Sequence, residues 1–335
     1  MTKSIREKKS YDLVSIGEPL LRFTPPKGIP LEASSNIYLT IAGSQFNVAA
    51  NLSILGWDTA FLTKIPSGPL GEFVLNSGKT FGVEMSEIKV VEGGKMGITF
   101  VEHPVNPRQP QIVYDRSGSA ASTITLNDFD WGSILKDVRY AYSDGIFPGL
   151  SSSCLEASEI FFKNAKTCEC TNVFDINYRE HLWAPKKARH AFSNLLKQID
   201  ILITNRNVSE TVFGYNGEDI DILKHYADEF GCRLICMTYR EMNGSSFGKW
   251  RATALSDGDF LESNLHKFEV VDRYGTGDAW TAGLLFGLKS GPLNAINTGG
   301  ALSAMAHTIK GDVTQIKPTQ LEEFLKGKTD FGPRR

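Results

Sequence analysis

Hydrophobic and polar positions along the chain follow two alternating periodicities. From residue 122 onward, short apolar runs that predict buried strands are separated, in most cases, by stretches with helical spacing. The strands predicted in this region are residues 140–143, 171–175, 199–204, 233–238 and 268–271. An earlier apolar run at 12–16 predicts the first strand, and helical spacing runs from residue 44 to Gly56. Strands that alternate with helices in this way favour an α/β fold with a mainly parallel sheet covered by helices.

Two early segments, at about 19–42 and 87–117, break this alternation. Both contain strand patterns without helices of their own, so we expect a small sheet that protrudes from the α/β core as a lid. Such a sheet has open edges and an apolar face, and a homodimer joined through the lids is a further hypothesis. No repeat or long linker divides the chain, which predicts that residues 1–335 form a single domain.

Charge and composition narrow the choice of partners and compartment. The 335 residues include 36 Lys and Arg against 38 Asp and Glu. A net charge of -2 gives no overall basic field for nucleic acid or an anionic membrane. No apolar stretch has the length of a signal peptide or a membrane span, which predicts a cytoplasmic protein. The five cysteines match no zinc motif, and we expect them to be reduced and mostly buried.

The stretch from residue 270 to 283 carries the strongest indication of chemistry. An apolar strand leads into a turn that contains Gly275 and Gly277, and an apolar helix follows. The first N–H groups of a helix are free to bind an anion, and glycines allow a phosphate to come close to them. Asp278 lies at the mouth of this site, where it could accept a proton from an attacking hydroxyl. From the residues alone, Asp278 as a simple helix cap is an equally good explanation.

This stretch and residues 42–49 together resemble the two signatures of the ribokinase-like, or phosphofructokinase-B, sugar kinases. The first signature has Ala42 where the family usually has glycine. The resemblance covers nearly the whole chain and implies a three-layer α/β/α ribokinase-like core with a protruding β-sheet lid. It also implies that Asp278 is the catalytic base. The anion hole would be formed by Gly275, Thr276 and Gly277. The sugar would lie near Gly43, Ser44 and Asn47.

Within this family, three further segments resemble the 2-keto-3-deoxygluconate kinases. They are residues 17–22, 113–122 and 175–183. The resemblance implies that Tyr114, Arg116 and Arg179 hold the substrate. Arginine suits a sugar acid, because it binds a carboxylate through paired charge-assisted hydrogen bonds. The alternatives are a kinase of the same family that acts on a neutral sugar such as fructose or ribose, and a non-catalytic protein that senses a sugar acid.

The nucleotide side of the resemblance implies ATP and Mg²⁺ as cofactors. The residues expected near the nucleotide are Asn177, Asn205, Thr238, Arg240 and Gly244. The family usually has an Asn-x-x-Glu element that organises Mg²⁺ and phosphates. Asn207 to Glu210 fits this pattern, whereas counting from Asn205, nearer the strand end, places Val208 at the acidic position. Both registers stay open, and no metal ligand is assigned.

Overall fold

A computed structural model describes residues 11–327 of the chain. Residues 1–10 and 328–335 lie outside this range. The strands are β1 (Leu13–Ile16), β2 (Leu20–Thr24), β3 (Tyr38–Ala42), β4 (Thr59–Leu62), β5 (Lys64–Pro66), β6 (Lys89–Val91), β7 (Gly97–Glu102), β8 (Gln111–Asp115), β9 (Tyr140–Asp144), β10 (Thr171–Asp175), β11 (Ile201–Asn205), β12 (Leu234–Asn243), β13 (Phe247–Ser256), β14 (Asp259–Glu262) and β15 (His266–Glu269). The helices are α1 (Ser44–Ile54), α2 (Pro69–Phe81), α3 (Trp131–Ile134), α4 (Ser152–Thr167), α5 (Pro185–Leu195), α6 (Arg206–Val208), α7 (Asp219–Phe230), α8 (Thr276–Gly287), α9 (Pro292–Ala306) and α10 (Pro318–Leu325).

The main sheet confirms the predicted α/β fold. Its strand order is β14-β13-β12-β11-β10-β9-β1-β4, and β15 also pairs with β13. The strands from β12 to β4 are parallel, and the strands beyond β12 are antiparallel. Successive side chains of a strand point to opposite faces of the sheet. Accordingly, Leu13 packs in one core with Phe46 of α1 and Trp280 of α8, whereas Val14 packs in the other with Phe161 of α4.

A second sheet, which we call the small sheet, has the order β3-β2-β7-β8. It draws its strands from both of the early segments that lack helices. One strand of those segments, β6, is not part of it. It pairs with β5 in a separate two-stranded ribbon, where the N–H of Lys89 donates a hydrogen bond of 3.0 Å to the backbone oxygen of Thr63.

The structure confirms the expectation that the cysteines are reduced and mostly buried. All five cysteines are free, and four of them are buried. Burial raises the pKa of the Cys154 thiol to about 11, which keeps it protonated and unreactive near neutral pH.

Within residues 11–327, no helix combines the length and the apolar character needed to cross a membrane. The cytoplasmic location stays a prediction.

Candidate active site

A cavity of about 800 Å³ lies between the small sheet and the carboxyl edge of the main sheet. Ligands of open α/β sheets bind at this edge, where parallel strands end together. The residues expected there that line the cavity are Gly43, Ser44, Asn47, Tyr114, Arg116, Asn177, Arg179, Asn205, Thr238, Arg240, Gly275, Thr276, Gly277 and Asp278. The fold therefore brings together positions that lie far apart in the sequence.

Gly244 is the exception among the expected site residues. It lies at the tip of the hairpin between β12 and β13, outside the residues that line the cavity. Both strands of this hairpin are ten residues long, so they carry its tip away from the carboxyl edge of the sheet. The φ angle of Gly244 is 65°, a value that favours glycine in a tight turn. Gly244 thus forms the hairpin turn, and its assignment to nucleotide binding stays a prediction.

The turn before α8 requires glycine for two reasons. Gly275 has a φ of 69°, which L-residues with a side chain rarely adopt. A Cβ atom at this position would also lie 2.1 Å from the backbone oxygen of Asp312. At Gly277, by contrast, a Cβ atom would meet nothing within 4 Å, so the helix N-terminus is open at this point. An anion can approach the free N–H groups of α8 there.

Asp278 is positioned by a neighbouring helix. Its Oδ2 accepts a hydrogen bond of 2.7 Å from Nδ2 of Asn47 on α1. The N-cap of α8 is Gly275, and no side chain caps this helix, so the capping explanation of Asp278 is wrong. Burial raises the pKa of Asp278 to about 7; the Asn47 hydrogen bond opposes this shift, and the charges of Asp144 and Asp312 add to it. A carboxyl with this pKa is suited to accept a proton near neutral pH.

This pKa predicts the pH dependence of catalysis. If Asp278 must be ionised to act, kcat/KM falls about tenfold per pH unit below about 7 and levels off above it. The measurement is kcat/KM against pH, with the folded state monitored across the same range. A profile that stays flat through about pH 7 contradicts the assignment of Asp278 as the base.

Two more carboxyl groups end neighbouring strands, and the sequence reasoning missed both. Asp144 accepts hydrogen bonds from Ser44, from Gln45 and, at 2.8 Å, from Asn177 Nδ2. Burial raises the pKa of Asp144, and burial together with the charge of Asp144 raises the pKa of Asp175 to about 8. The raised pKa values reduce the negative charge on this side of the site. Ser44 and Asn177 thus also hold a buried carboxyl in place.

Arg116 lies in the cavity wall, but a carboxylate already pairs with it. Its Nε lies 2.8 Å from Oε2 of Glu18, its Nη2 bonds the same oxygen, and Ser119 donates to Oε1. Arg116 is 9% exposed and Glu18 is 2% exposed. No local pattern in the sequence indicates this pairing. The Glu18 carboxylate compensates the arginine charge that we expected to face the substrate.

The buried pair predicts a loss of stability in Arg116→Ala. Removing one partner of a buried ion pair leaves an unpaired charge and costs about 3–5 kcal/mol. Urea unfolding of Arg116→Ala is expected to show this loss. The double variant Glu18→Gln with Arg116→Met should recover much of it, because no lone charge remains. A single variant as stable as the original chain would contradict this account of the pair.

Three arginines of the cavity make no ion pair with any residue between 11 and 327. They are Arg179, Arg240 and Arg273. Nη1 of Arg240 lies 3.3 Å from the backbone oxygen of Arg273 and 3.5 Å from Oγ1 of Thr276. Burial lowers the pKa of Arg240 to about 10, and the charges of Arg273 and Arg179 add to this shift. Cations that repel one another in a cavity favour the binding of anions. Arg273 was not among the expected site residues.

Tyr114 of the small sheet contacts the loop that follows β10. The Tyr114 ring stacks on His181, with centroids 5.2 Å apart and an interplanar angle of 18°. Burial lowers the pKa of His181, and the charges of Arg116 and Arg179 lower it further. Arg179 therefore lies at the end of the cavity that the small sheet covers, whereas Arg240 lies beside the turn before α8.

Neither register of the Asn-x-x-Glu element places a carboxylate in the cavity. Oδ1 of Asn205 accepts a hydrogen bond of 3.0 Å from the N–H of Val208, whose side chain is buried. Glu210 pairs with Arg206 at 3.2 Å and is not among the cavity residues. Among residues 11–327, no group of three or more acidic, histidine or cysteine side chains could hold a metal ion. The described residues do not form a cage for a metal ion.

Comparison with known proteins identifies the family of the chain. A model of the pfkB family of carbohydrate kinases matches residues 11–318. The chain belongs to this family. It is 30% identical to a 2-dehydro-3-deoxygalactonokinase of Haloferax volcanii, with 94% of this chain and 97% of the relative covered. It is 27% identical to a 5-dehydro-2-deoxygluconokinase of Clostridium perfringens, with 97% and 96% covered.

Among solved structures, this pfkB kinase is similar to a 2-dehydro-3-deoxygluconokinase of Thermotoga maritima. The TM-score is 0.90 at 29% identity, and the match covers 96% of this chain and 100% of the other. The ribokinase-like fold and the carbohydrate kinase class expected from the two signatures are therefore confirmed.

Proposed function

We propose that this pfkB kinase transfers the γ-phosphoryl group of ATP to the terminal hydroxyl of a dehydro-deoxy sugar acid. The leading substrate is 2-keto-3-deoxygluconate, which would give the 6-phospho product. The observation that carries the proposal is a set of three arginines that have no ion-pair partner among the described residues and share a cavity with Asp278 and the open N-terminus of α8. The names of the three similar proteins given above, each a kinase of a dehydro-deoxy sugar acid, support it.

Asp278 would act as the general base of the transfer. It accepts the proton of the attacking hydroxyl while the hydroxyl oxygen bonds to the γ-phosphorus. The bond between this phosphorus and the oxygen that bridges to the β-phosphate breaks, and ADP leaves. The N–H groups at Thr276 and Gly277 stabilise the charge of the moving phosphoryl group. Closure of the small sheet would keep water from competing with the sugar hydroxyl.

Arg179 would bind the carboxylate of the sugar acid. It makes no ion pair within the described range, and it lies near the Tyr114 and His181 stack, at the end covered by the small sheet. Arg240 lies beside Thr276, and we assign it to the phosphates instead. Arg116 would support this end of the cavity through Glu18 and contact the substrate less directly.

The nucleotide would extend along the carboxyl ends of β10 to β12. Asn177, Asn205 and Thr238 line the cavity there, and we propose that they face the phosphates. Mg²⁺, when bound with ATP, neutralises charge on the β- and γ-phosphates.

The test is substrate-dependent release of ADP. The panel contains 2-keto-3-deoxygluconate, 2-keto-3-deoxygalactonate, 5-dehydro-2-deoxygluconate, gluconate, fructose and ribose, with Asp278→Asn as the control. Turnover confined to the dehydro-deoxy acids supports the proposal and ranks the three acids. Turnover on neutral sugars alone would keep the kinase and refute the carboxylate site. Binding of the acids without any turnover would favour the sensor.

We also propose a homodimer formed through the small sheet. Its edge strands expose apolar side chains, including Tyr38 at 49% and Val113 at 51%. Exposed edges that carry apolar side chains are commonly covered by a second subunit. Light scattering that gives a dimer mass supports this assembly, and a monomer mass at working concentration would refute it.

A further inference from the structure

A buried arginine of the small sheet reaches the core beside the turn before α8. Arg22 on β2 is 2% exposed. Its Nη1 lies 2.5 Å from Oδ1 of Asp312, and its Nη2 lies 2.9 Å from Oδ2 of Asp272. Nη2 also lies 3.4 Å from Nε2 of His103, and the guanidinium carbon lies 4.7 Å from the ring centroid of Tyr274. One side chain thus joins the small sheet to two separate segments of the core.

Both carboxylates belong to segments that shape the turn at Gly275. Oδ1 of Asp272 accepts hydrogen bonds from the backbone N–H of Arg273 at 2.7 Å and of Tyr274 at 3.2 Å. The backbone oxygen of Asp312 packs so closely on Gly275 that no Cβ fits between them. A change in either carboxylate's position therefore moves the backbone that leads into the N-terminus of α8.

We propose that Arg22 is a positioning residue for phosphoryl transfer, because it fixes Asp272 and Asp312 on either side of the Gly275 turn and cancels negative charge beside it. The inference rests on the proposed function, since it takes this turn as the anion site. Because Arg22 belongs to the small sheet, its contacts with Asp272 and Asp312 couple the position of that sheet to the conformation of the turn.

The charge of Arg22 also affects the pKa of Asp278, through Asp312. The negative charge of Asp312 already adds to the raised pKa of Asp278. Arg22 opposes the effect of burial on Asp312, so it stabilises the ionised form of that carboxyl. His103 also adjoins the guanidinium, but burial lowers its pKa, so a neutral imidazole does not replace the charge of Arg22. The polar and titratable groups that act on Asp278 are Ser44, Asn47, Tyr142, Asp144, Asp175 and Asp312.

The test compares Arg22→Lys and Arg22→Ala with the original enzyme. Lysine keeps the charge but cannot bridge two carboxylates with a planar fork. We expect kcat to fall about 10- to 100-fold in both variants, with smaller changes in KM for the sugar. Without Arg22, burial favours the neutral form of Asp312, whose charge then no longer raises the pKa of Asp278. The acid limb of the pH profile should therefore move downward in Arg22→Ala and stay closer to the original in Arg22→Lys. Guanidinium chloride, below concentrations that unfold the protein, should partly restore kcat of Arg22→Ala, and sodium chloride of equal ionic strength should not.

Arg108→Ala is the matched control. Arg108 also lies next to the small sheet and pairs with a carboxylate, Glu102, at 2.7 Å, but its side chain is 44% exposed and does not line the cavity. This variant should keep kcat and show no response to guanidinium. If Arg22→Lys keeps full kcat and the original pH profile, the inference is overturned, whether or not Arg22→Ala folds. An original enzyme without turnover on any sugar would instead refute the proposed function.

Discussion

Replacing Asp278 with asparagine is expected to lower kcat about 10²- to 10⁴-fold, the usual contribution of a positioned general base. Asparagine has nearly the same shape and can still contact Asn47, so KM for ATP and for the sugar should change little. Steady-state kinetics on both substrates provide the measurement. A variant with nearly full kcat would show that the hydroxyl loses its proton without Asp278.

A stability measurement separates this loss from unfolding. The pKa of Asp278 is raised from 3.8 to about 7 in the folded protein, so folding disfavours its ionised form. The cost to stability is absent at low pH and grows as the pH rises from about 4 to about 7. Asp278→Asn removes this cost. At a pH above about 7, its melting temperature should therefore equal or exceed that of the original chain, and a large decrease would mean that the kinetic loss reports damage to the fold.

Replacing Arg179 with alanine is expected to raise KM for the sugar acid about 10- to 100-fold. A hydrogen bond to a charged group contributes about 1.5–3 kcal/mol, and each 1.4 kcal/mol is a factor of ten in binding. Arg179 makes no ion pair within residues 11–327, and the one hydrogen bond that its side chain makes there, to the Tyr178 backbone oxygen, is 3.4 Å long. Its removal should leave the fold stable, unlike the removal of the buried Arg116.

The substrate that is affected distinguishes two roles for Arg179. If it binds the sugar carboxylate, KM for ATP stays near its original value, and Arg179→Lys recovers part of the affinity because the charge remains. A neutral analogue that lacks the carboxylate should bind the original enzyme and Arg179→Ala about equally. A rise in KM for ATP alone would move Arg179 to the phosphates and contradict the carboxylate role.

The fold and the turn at Gly275 could be predicted because their causes are local. The alternation of apolar runs and helical spacing depends on residues that are neighbours in the sequence. The strand, the turn and the helix around Gly275 are also encoded by neighbouring residues. Asp278 was identified as the candidate base from the same short stretch. Its partner Asn47 came from the first signature, although the hydrogen bond between them, across 231 positions, could not be foreseen.

The remaining features depend on contacts between distant residues, which one sequence does not reveal. Arg116 and Glu18 are 98 positions apart, and Arg22 and Asp312 are 290 positions apart. No local pattern indicates that Glu18 compensates the charge of Arg116. The position of Gly244 outside the cavity lining could not be foreseen for a related reason, since the lengths of β12 and β13 decide where the tip of their hairpin lies.

The central claim is transfer of a phosphoryl group to the terminal hydroxyl of a sugar acid. The most direct test is phosphorus NMR of a reaction that contains the enzyme, ATP, Mg²⁺ and 2-keto-3-deoxygluconate. The account predicts equal formation of ADP and of a phosphate monoester whose phosphorus couples to the protons of the terminal carbon, and neither product with Asp278→Asn. ADP formed with inorganic phosphate alone, or no change in ATP while the sugar acid binds, would contradict it.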